Sequence, residues 1–238
     1  MQGIEKEEYM EREIVVAVKD VSKIYENASG STCVLDRVNI CIRKGEFVGI
    51  VGDSGSGKTT LLNLVGGMDS VSGGTITVAG DVISDFGDRK KTLYRRRRVG
   101  FIFQDYNLIG ELTVYENIIL PIQLKGKQIN EKLIDKFLEM LKLMEKKNVF
   151  PMQLSGGEQQ RVAVLRSLLC EPDIILADEP TGNLDVKNTQ VVVKLLQYFS
   201  SHMGKTILFV THNMELTKTC DRVIVVRDGK IVSELMKS

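Results

Sequence analysis

The stretch Gly52-Asp53-Ser54-Gly55-Ser56-Gly57-Lys58-Thr59 constrains this chain more than any other. It follows the pattern glycine, four residues, glycine, lysine, then serine or threonine. Phe47-Val48-Gly49-Ile50-Val51 precedes it, a short apolar run that reads as a buried parallel strand. Thr60-Leu61-Leu62-Asn63-Leu64-Val65 follows it and reads as the first turns of a helix. A strand, a glycine-rich bend and a helix start aim successive backbone N–H groups into one concavity, backed by the helix's partial positive charge. That arrangement holds phosphate. Lys58 can reach the β- and γ-phosphates, and the Thr59 hydroxyl can ligate Mg²⁺.

Two further strand ends bring polar groups of the kind this chemistry needs. Ile174-Ile175-Leu176-Ala177 reads as a buried strand that delivers Asp178 and Glu179 at its C-terminal end, where doubly wound sheets place ligands. Asp178 suits the hard Mg²⁺ ion. Glu179 sits one residue nearer the γ-phosphate and can accept a proton from an attacking water. Val210-Thr211-His212 is another strand end, and His212 is the third polar group aimed at the γ-phosphate. His202 instead reads as structural, at a helix C-terminus before a glycine cap at Gly204.

The 238 residues can bury a sizeable core. Residues 1–12 read as a loosely held charged arm. Ile14 to Val18 and Val38 to Ile42 read as strands, with a turn-rich loop from Tyr25 to Ser31 between them. Thr75 to Gly80 is a further strand ending in a turn. These strands predict a small antiparallel layer beside the nucleotide core. Arg95 to Arg98 reads as a solvated helix end, with docking or phosphate steering as the alternative. Gly100 to Gln104 is a short apolar strand ending in glutamine.

From Asp105 to Met152 the pattern turns helical. Thr113 predicts an N-cap, with Glu116 three residues on, and Pro121 disturbs or ends that helix. Glu131 to Lys146 has helical spacing that assigns its methionines to the core. Lys187 to Ser201 reads as a helix and Thr206 to Val210 as a strand. Asp228-Gly229 predicts a hairpin. The fold class is therefore α/β: a mostly parallel P-loop core, an antiparallel β layer and an inserted α-helical segment.

Composition narrows the context. Charged residues are 26% and the net charge is +1, which gives no global push toward nucleic acid or anionic lipid. Cys33, Cys41, Cys170 and Cys220 form no CxxC pair and point to a reducing compartment. Two histidines argue against a histidine metal cluster. The polar N-terminus has no signal-peptide core, and no window approaches the roughly 18 apolar residues of a membrane span. The expectation is a cytosolic chain, or one held at the membrane through a partner.

Leu154-Ser155-Gly156-Gly157-Glu158-Gln159-Gln160-Arg161 places a serine and two glycines at a helix start, a second backbone anion site. One chain offers one γ-phosphate. Either a second ligand binds here, or this loop closes onto the nucleotide of another copy.

On these residues the chain resembles the nucleotide-binding subunit of an ABC transporter. Leu154 to Gln160 matches the family's signature motif, Gly52 to Thr59 its Walker A and Ile174 to Glu179 its Walker B with the catalytic glutamate. Gln104 matches the Q-loop, His212 the switch histidine and Thr181-Gly182-Asn183-Leu184-Asp185 the D-loop region. The resemblance implies ATP contacts at Tyr25, which stacks on adenine, and at Gly52, Ser54, Gly55, Ser56, Gly57, Lys58, Thr59 and Thr60. It implies Mg²⁺ contacts at Thr59, Gln104 and Asp178, with Glu179, His212 and Gln104 in catalysis. Ser155, Gly156 and Gly157 then contact the γ-phosphate bound by a second copy in a head-to-tail dimer with two ATP. Residues 1–104 and 161–238 form the nucleotide-binding core, and 105–160 the helical subdomain.

Phe101 to Leu108, Leu112 to Asn117 and Ala177 to Asp185 resemble one branch. It holds the lipoprotein-releasing, macrolide-export and antimicrobial-peptide-resistance ATPases, whose partners are FtsX-type permeases. Asp53 departs from it, since proline is common there. The branch implies an ATPase at the cytoplasmic face of the membrane, driving a separate permease through a groove lined by residues such as Leu108, Leu112 and Met140, with no nucleic acid. The alternatives are a soluble ABC ATPase acting on nucleic acid, ribosomes or iron–sulfur assembly, and a pair that signals to a sensor kinase.

Overall fold

The computed structural model describes residues 12–27 and 30–236. Residues 1–11 of the arm expected at 1–12, and Ala28 and Ser29 of the expected loop, lie outside the described residues. β1 (Ile14–Asn27) and β2 (Gly30–Arg43) form a long antiparallel hairpin. The turn-rich segment is therefore shorter than expected: Tyr25 pairs with Thr32 and Asn27 with Gly30. Cross-strand pairing carries the polar residues that read as loop, and irregularities at Val18–Ile24 absorb the mismatch. β4 (Gly73–Val78) joins β1, and β5 (Asp81–Val82) joins β4, giving an antiparallel sheet ordered β2-β1-β4-β5.

The second sheet holds β3 (Phe47–Val51), β6 (Val99–Ile102), β7 (Ile174–Asp178), β8 (Thr206–Val210), β9 (Arg222–Arg227) and β10 (Lys230–Met236). Its order is β10-β9-β3-β8-β7-β6, with every pair parallel except β10 on β9. Asp228 and Gly229 both take positive φ, the twisted hairpin turn that Asp-Gly predicts.

Alternation along these strands builds two cores. Phe47, Ile175, Ala177, Ile207 and Phe209 face one side, and Val48, Ile50, Ile174, Leu176, Leu208 and Val210 the other. The second face packs on the antiparallel sheet and on α1 (Lys58–Val65). The first is covered by α3 (Val114–Leu124), α5 (Gly156–Leu169) and α6 (Val186–Met203). α2 (Asp88–Arg98) precedes β6, and α4 (Glu131–Met140) follows α3. The basic run is the last turn of α2, as expected, but it is not merely solvated. Arg95 donates to the Gly67 carbonyl at 2.6 Å and Arg98 pairs with Asp173 at 2.7 Å.

Two helical expectations change. Pro121 lies inside α3, which runs on to Leu124. A missing N–H costs one bond, and buried Ile118, Ile119 and Ile122 hold the helix against the core around it. Thr113 does cap α3, with the reciprocal Glu116 bond. The predicted Glu131–Lys146 helix ends at Met140, because Lys142 takes a left-handed φ of 55°. The break turns Leu141 and Leu143 into the core and leaves Met140 and Met144 exposed, contrary to the core role read from their spacing. His202 lies in the last turn of α6, two residues before the left-handed Gly204 cap, and stacks on Tyr198, the structural position expected for it.

Candidate active site

The strand order brings four loops to one edge. β3, β8, β7 and β6 are neighbours and parallel, so the residues after their C-terminal ends converge: Gly52–Thr59, His212, Glu179 and Gln104. The bend after β3 needs glycine. A Cβ on Gly52, at φ 154°, would lie 2.0 Å from the Val226 carbonyl oxygen. On Gly57, at φ 103°, it would lie 2.7 Å from Leu35 and 2.8 Å from the Val34 oxygen. Lys58 opens α1 and folds back over the loop, its ammonium donating to the Gly52 and Asp53 carbonyls at 2.9 and 2.7 Å. It is buried, and an anion in the loop can take over those donors.

Beside it the Thr59 hydroxyl donates to Asp178 Oδ1 at 3.1 Å. Burial raises the Asp178 pKa, the charge of Glu179 adds to that, and the Thr59 bond works against it. Two hard oxygen donors this close, one from the phosphate loop and one from a strand end, fit Mg²⁺. Glu179 stands in the left-handed region, with φ 46°, a strained position for a non-glycine residue and one typical of functional sites. Its Oε2 lies 2.9 Å from His212 Nδ1. A phosphate loop, a cation site and a carboxylate beside an imidazole can together bind and hydrolyse a nucleoside triphosphate.

Gln104 turns elsewhere. Its amide donates to Asn183 Oδ1 at 3.0 Å, and Asn183 reaches back to Asp105 Oδ1 at 3.3 Å. The expected Q-loop and D-loop regions are thus tied to each other. Tyr25 Oη donates to Asp69 Oδ2 at 2.7 Å, and the Lys23 ammonium lies 4.6 Å from its ring centre. Lys23 in turn holds Asp69 and the Ser70 carbonyl, each at 2.8 Å. The ring is 40% exposed and braced rather than free.

Ser155, Gly156 and Gly157 open α5. Tyr106 Oη is the nearest atom to a Cβ at Gly156, and the Asn188 amide to one at Gly157. None of the atoms nearest either position comes from Gly52–Thr59. The Ser155 N–H and O–H both go to Glu158 Oε2 at 2.8 Å, and Lys146 pairs with Glu158 Oε1. Burial opposes ionisation of Glu158, but Lys146 and Ser155 pull its pKa down to about 2. Further along α5, the fully buried Gln160 amide donates to the Phe103 carbonyl at 3.2 Å and the Pro180 carbonyl at 2.6 Å. One side chain therefore spans the strand leading to Gln104 and the turn leaving Glu179. Lys146 and Asp69 belong to no motif, and the motifs that contain Gln160 and Asn183 do not reveal what those two side chains touch.

An apolar hollow lies where β6 exits between α3 and α5. Phe101, Phe103, Ile109, Leu120 and Leu124 line it. Leu108, Leu112 and Met140, the residues expected at such a groove, do not: Leu108 packs partly buried against the core, and Met140 sits at the end of α4.

Residues 35–182 match the protein-family model described as ABC transporter. The uncharacterized ABC transporter ATP-binding protein MJ1508 of Methanocaldococcus jannaschii is 43% identical over 94% of this chain and 100% of its own length. The methionine import ATP-binding protein MetN 2 of Paraburkholderia xenovorans is 39% identical over 91% of this chain and 57% of its own length. A solved dimer of the ATP-binding cassette MJ0796 in a post-hydrolysis state, bound to ADP and Pi, matches with a TM-score of 0.85. It is 38% identical, and the match covers 94% of this chain and 99% of that one.

Proposed function

The chain belongs to the ABC transporter family as an ATP-binding ATPase subunit, and from that premise we propose that two copies close head to tail on two ATP molecules to drive a separately encoded permease. The observation that carries this is the separation of two anion sites. Lys58, Thr59, Asp178, Glu179 and His212 gather at one sheet edge, while Ser155-Gly156-Gly157 opens α5 against Tyr106 and Asn188. A second copy brings its own bound phosphate to the second site, and the MJ0796 cassette is itself a dimer.

In this reading Lys58 exchanges the Gly52 and Asp53 carbonyls for the β- and γ-phosphates. Gly52, Ser54, Gly55, Ser56, Gly57 and Thr60 wrap the phosphates, and Tyr25 stacks on adenine. Thr59 and Asp178, with Gln104, hold Mg²⁺, which offsets phosphate charge when bound. Glu179 orients the attacking water and takes its proton, and His212 supports the γ-phosphate and Glu179 together. Residues 105–160 form the helical subdomain, and α5 carries it into the nucleotide-binding core as one continuous helix. The hollow beside Phe103 and Ile109 receives a cytoplasmic helix of the permease, which keeps the subunit at the cytoplasmic face of the membrane.

The segments Phe101–Leu108, Leu112–Asn117 and Ala177–Asp185 support an FtsX-type partner. The work is then export, lipoprotein release or antimicrobial-peptide resistance. That direction rests on those segments alone, since MetN 2 is by name an import protein.

Complementation tests the shared site. Lys58→Ala and Ser155→Arg should each abolish ATP hydrolysis alone. Mixed, they should recover it, because a mixed pair joins the intact Gly52–Thr59 loop of one copy to the intact signature of the other. A mixture as inactive as its parts contradicts the two-copy site.

A further inference from the structure

Ser155 has one hydroxyl proton, and in this chain that proton is already engaged. It goes to Glu158 Oε2 at 2.8 Å, the same oxygen that accepts the Ser155 backbone N–H. A phosphate oxygen is an acceptor. For Ser155 to donate to one, its hydroxyl must leave Glu158, since a hydroxyl carries a single donor.

The carboxylate it would leave is charged and close by. Glu158 is only 16% exposed at its side chain, so water screens it poorly. Its other oxygen, Oε1, is held by Lys146 from the short turn Met144–Lys146. Among the described residues Lys146 makes the ion-pair contact with Glu158, and Arg161, one turn along α5, feels its charge from further away.

We propose that Glu158 and Lys146 set the affinity of the signature serine for the opposite copy's γ-phosphate. Glu158 competes for the Ser155 proton and places a negative charge beside the incoming phosphate. Lys146 holds that charge in check. This rests on the two-copy reading above and adds to it two residues that touch no nucleotide in their own subunit's loop. The arrangement is also a helix cap, and a cap alone would affect stability and nothing else. The two roles separate because glutamine at 158 preserves the cap. Its amide oxygen can take the place of Oε2 and accept the Ser155 N–H and O–H, but as a neutral, weaker acceptor it gives up the hydroxyl proton more readily and puts no charge beside the phosphate.

The test uses the Glu179→Gln chain, in which hydrolysis is slow. ATP with Mg²⁺ is titrated and the dimer read by sedimentation. Adding Glu158→Gln should lower the ATP concentration for half-dimerisation by about threefold or more. Adding Lys146→Met should raise it on the order of tenfold, by exposing an unbalanced charge to the phosphate. The chain carrying both should follow Glu158→Gln, because no charge remains for Lys146 to offset. Binding of a fluorescent ATP analogue to the monomer should stay unchanged in all of them. Shifts of the two single changes in the same direction, or no shift in either, overturn the proposal alone. A Glu179→Gln parent that stays monomeric at every ATP concentration overturns the two-copy reading and this proposal with it.

Discussion

His212 Nδ1 and Glu179 Oε2 lie 2.9 Å apart, joining the end of β8 to the end of β7. The histidine side chain is 73% exposed and the carboxylate 20%. An exposed imidazole thus reaches inward to a partly enclosed carboxylate that the left-handed turn at residue 179 has already aimed. The pair ties two neighbouring strand ends together at the sheet edge.

Removing His212 leaves the ATP-binding loop intact. His212→Ala should therefore lower kcat by about a hundredfold or more while the KM for ATP stays near wild type. Steady-state hydrolysis across ATP concentrations checks this. A large rise in KM with kcat preserved would show that the histidine binds substrate rather than supports the chemistry.

Tyr25 is held by its hydroxyl on Asp69, with Lys23 over its ring. If it carries the adenine, Tyr25→Ala should weaken ATP binding by up to about a hundredfold, the worth of one aromatic stack. Tyr25→Phe should be mild, since the platform remains and only the Asp69 bond is lost. Equilibrium binding of ATP to the purified chain decides between them; unchanged affinity in the alanine variant assigns the base to another residue.

Gln160 joins two carbonyls that only a double donor can bridge. Gln160→Met keeps the volume and removes both bonds, leaving buried acceptors without a partner. It should cost about 1–3 kcal/mol in urea unfolding and reduce kcat more than ATP affinity. Gln160→Glu should be worse, because it sets a carboxylate oxygen against those same carbonyls. A methionine variant of wild-type stability contradicts this account of the bridge.

What the sequence shows and what it hides divide along one line. Gly52–Thr59, Asp178-Glu179 and His212 are legible because each is a local pattern: an apolar strand, then the polar residue at its end. The Asp228-Gly229 turn and the Thr113 cap are legible for the same reason. Partners brought together by folding are not. Asn183 meets Gln104 from 79 positions away, and Asp69 meets Tyr25 from 44. Element ends misread where tertiary contacts override local preference. The β1–β2 pairing consumes most of the Tyr25–Ser31 loop, isoleucine packing carries α3 past Pro121, and Lys142 stops the helix predicted to reach Lys146. Leu108, Leu112 and Met140, named from the resemblance, do not line the apolar hollow beside Phe103, because which apolar residues border it depends on how β6, α3 and α5 come together.

Glu179→Gln tests the central claim most directly. Glutamine keeps the size of glutamate and most of its hydrogen bonding but is a very poor proton acceptor. Hydrolysis should fall by about 10²–10⁴ with ATP still bound, and the pair should therefore stay closed. With ATP and Mg²⁺ the purified variant should elute from size exclusion as a dimer and return to monomer with ADP, while wild type is mainly monomeric in both. Hydrolysis by Glu179→Gln at near the wild-type rate, or a variant that remains monomeric with ATP bound and uncleaved, would contradict the account: the first its general base, the second its ATP-driven closure.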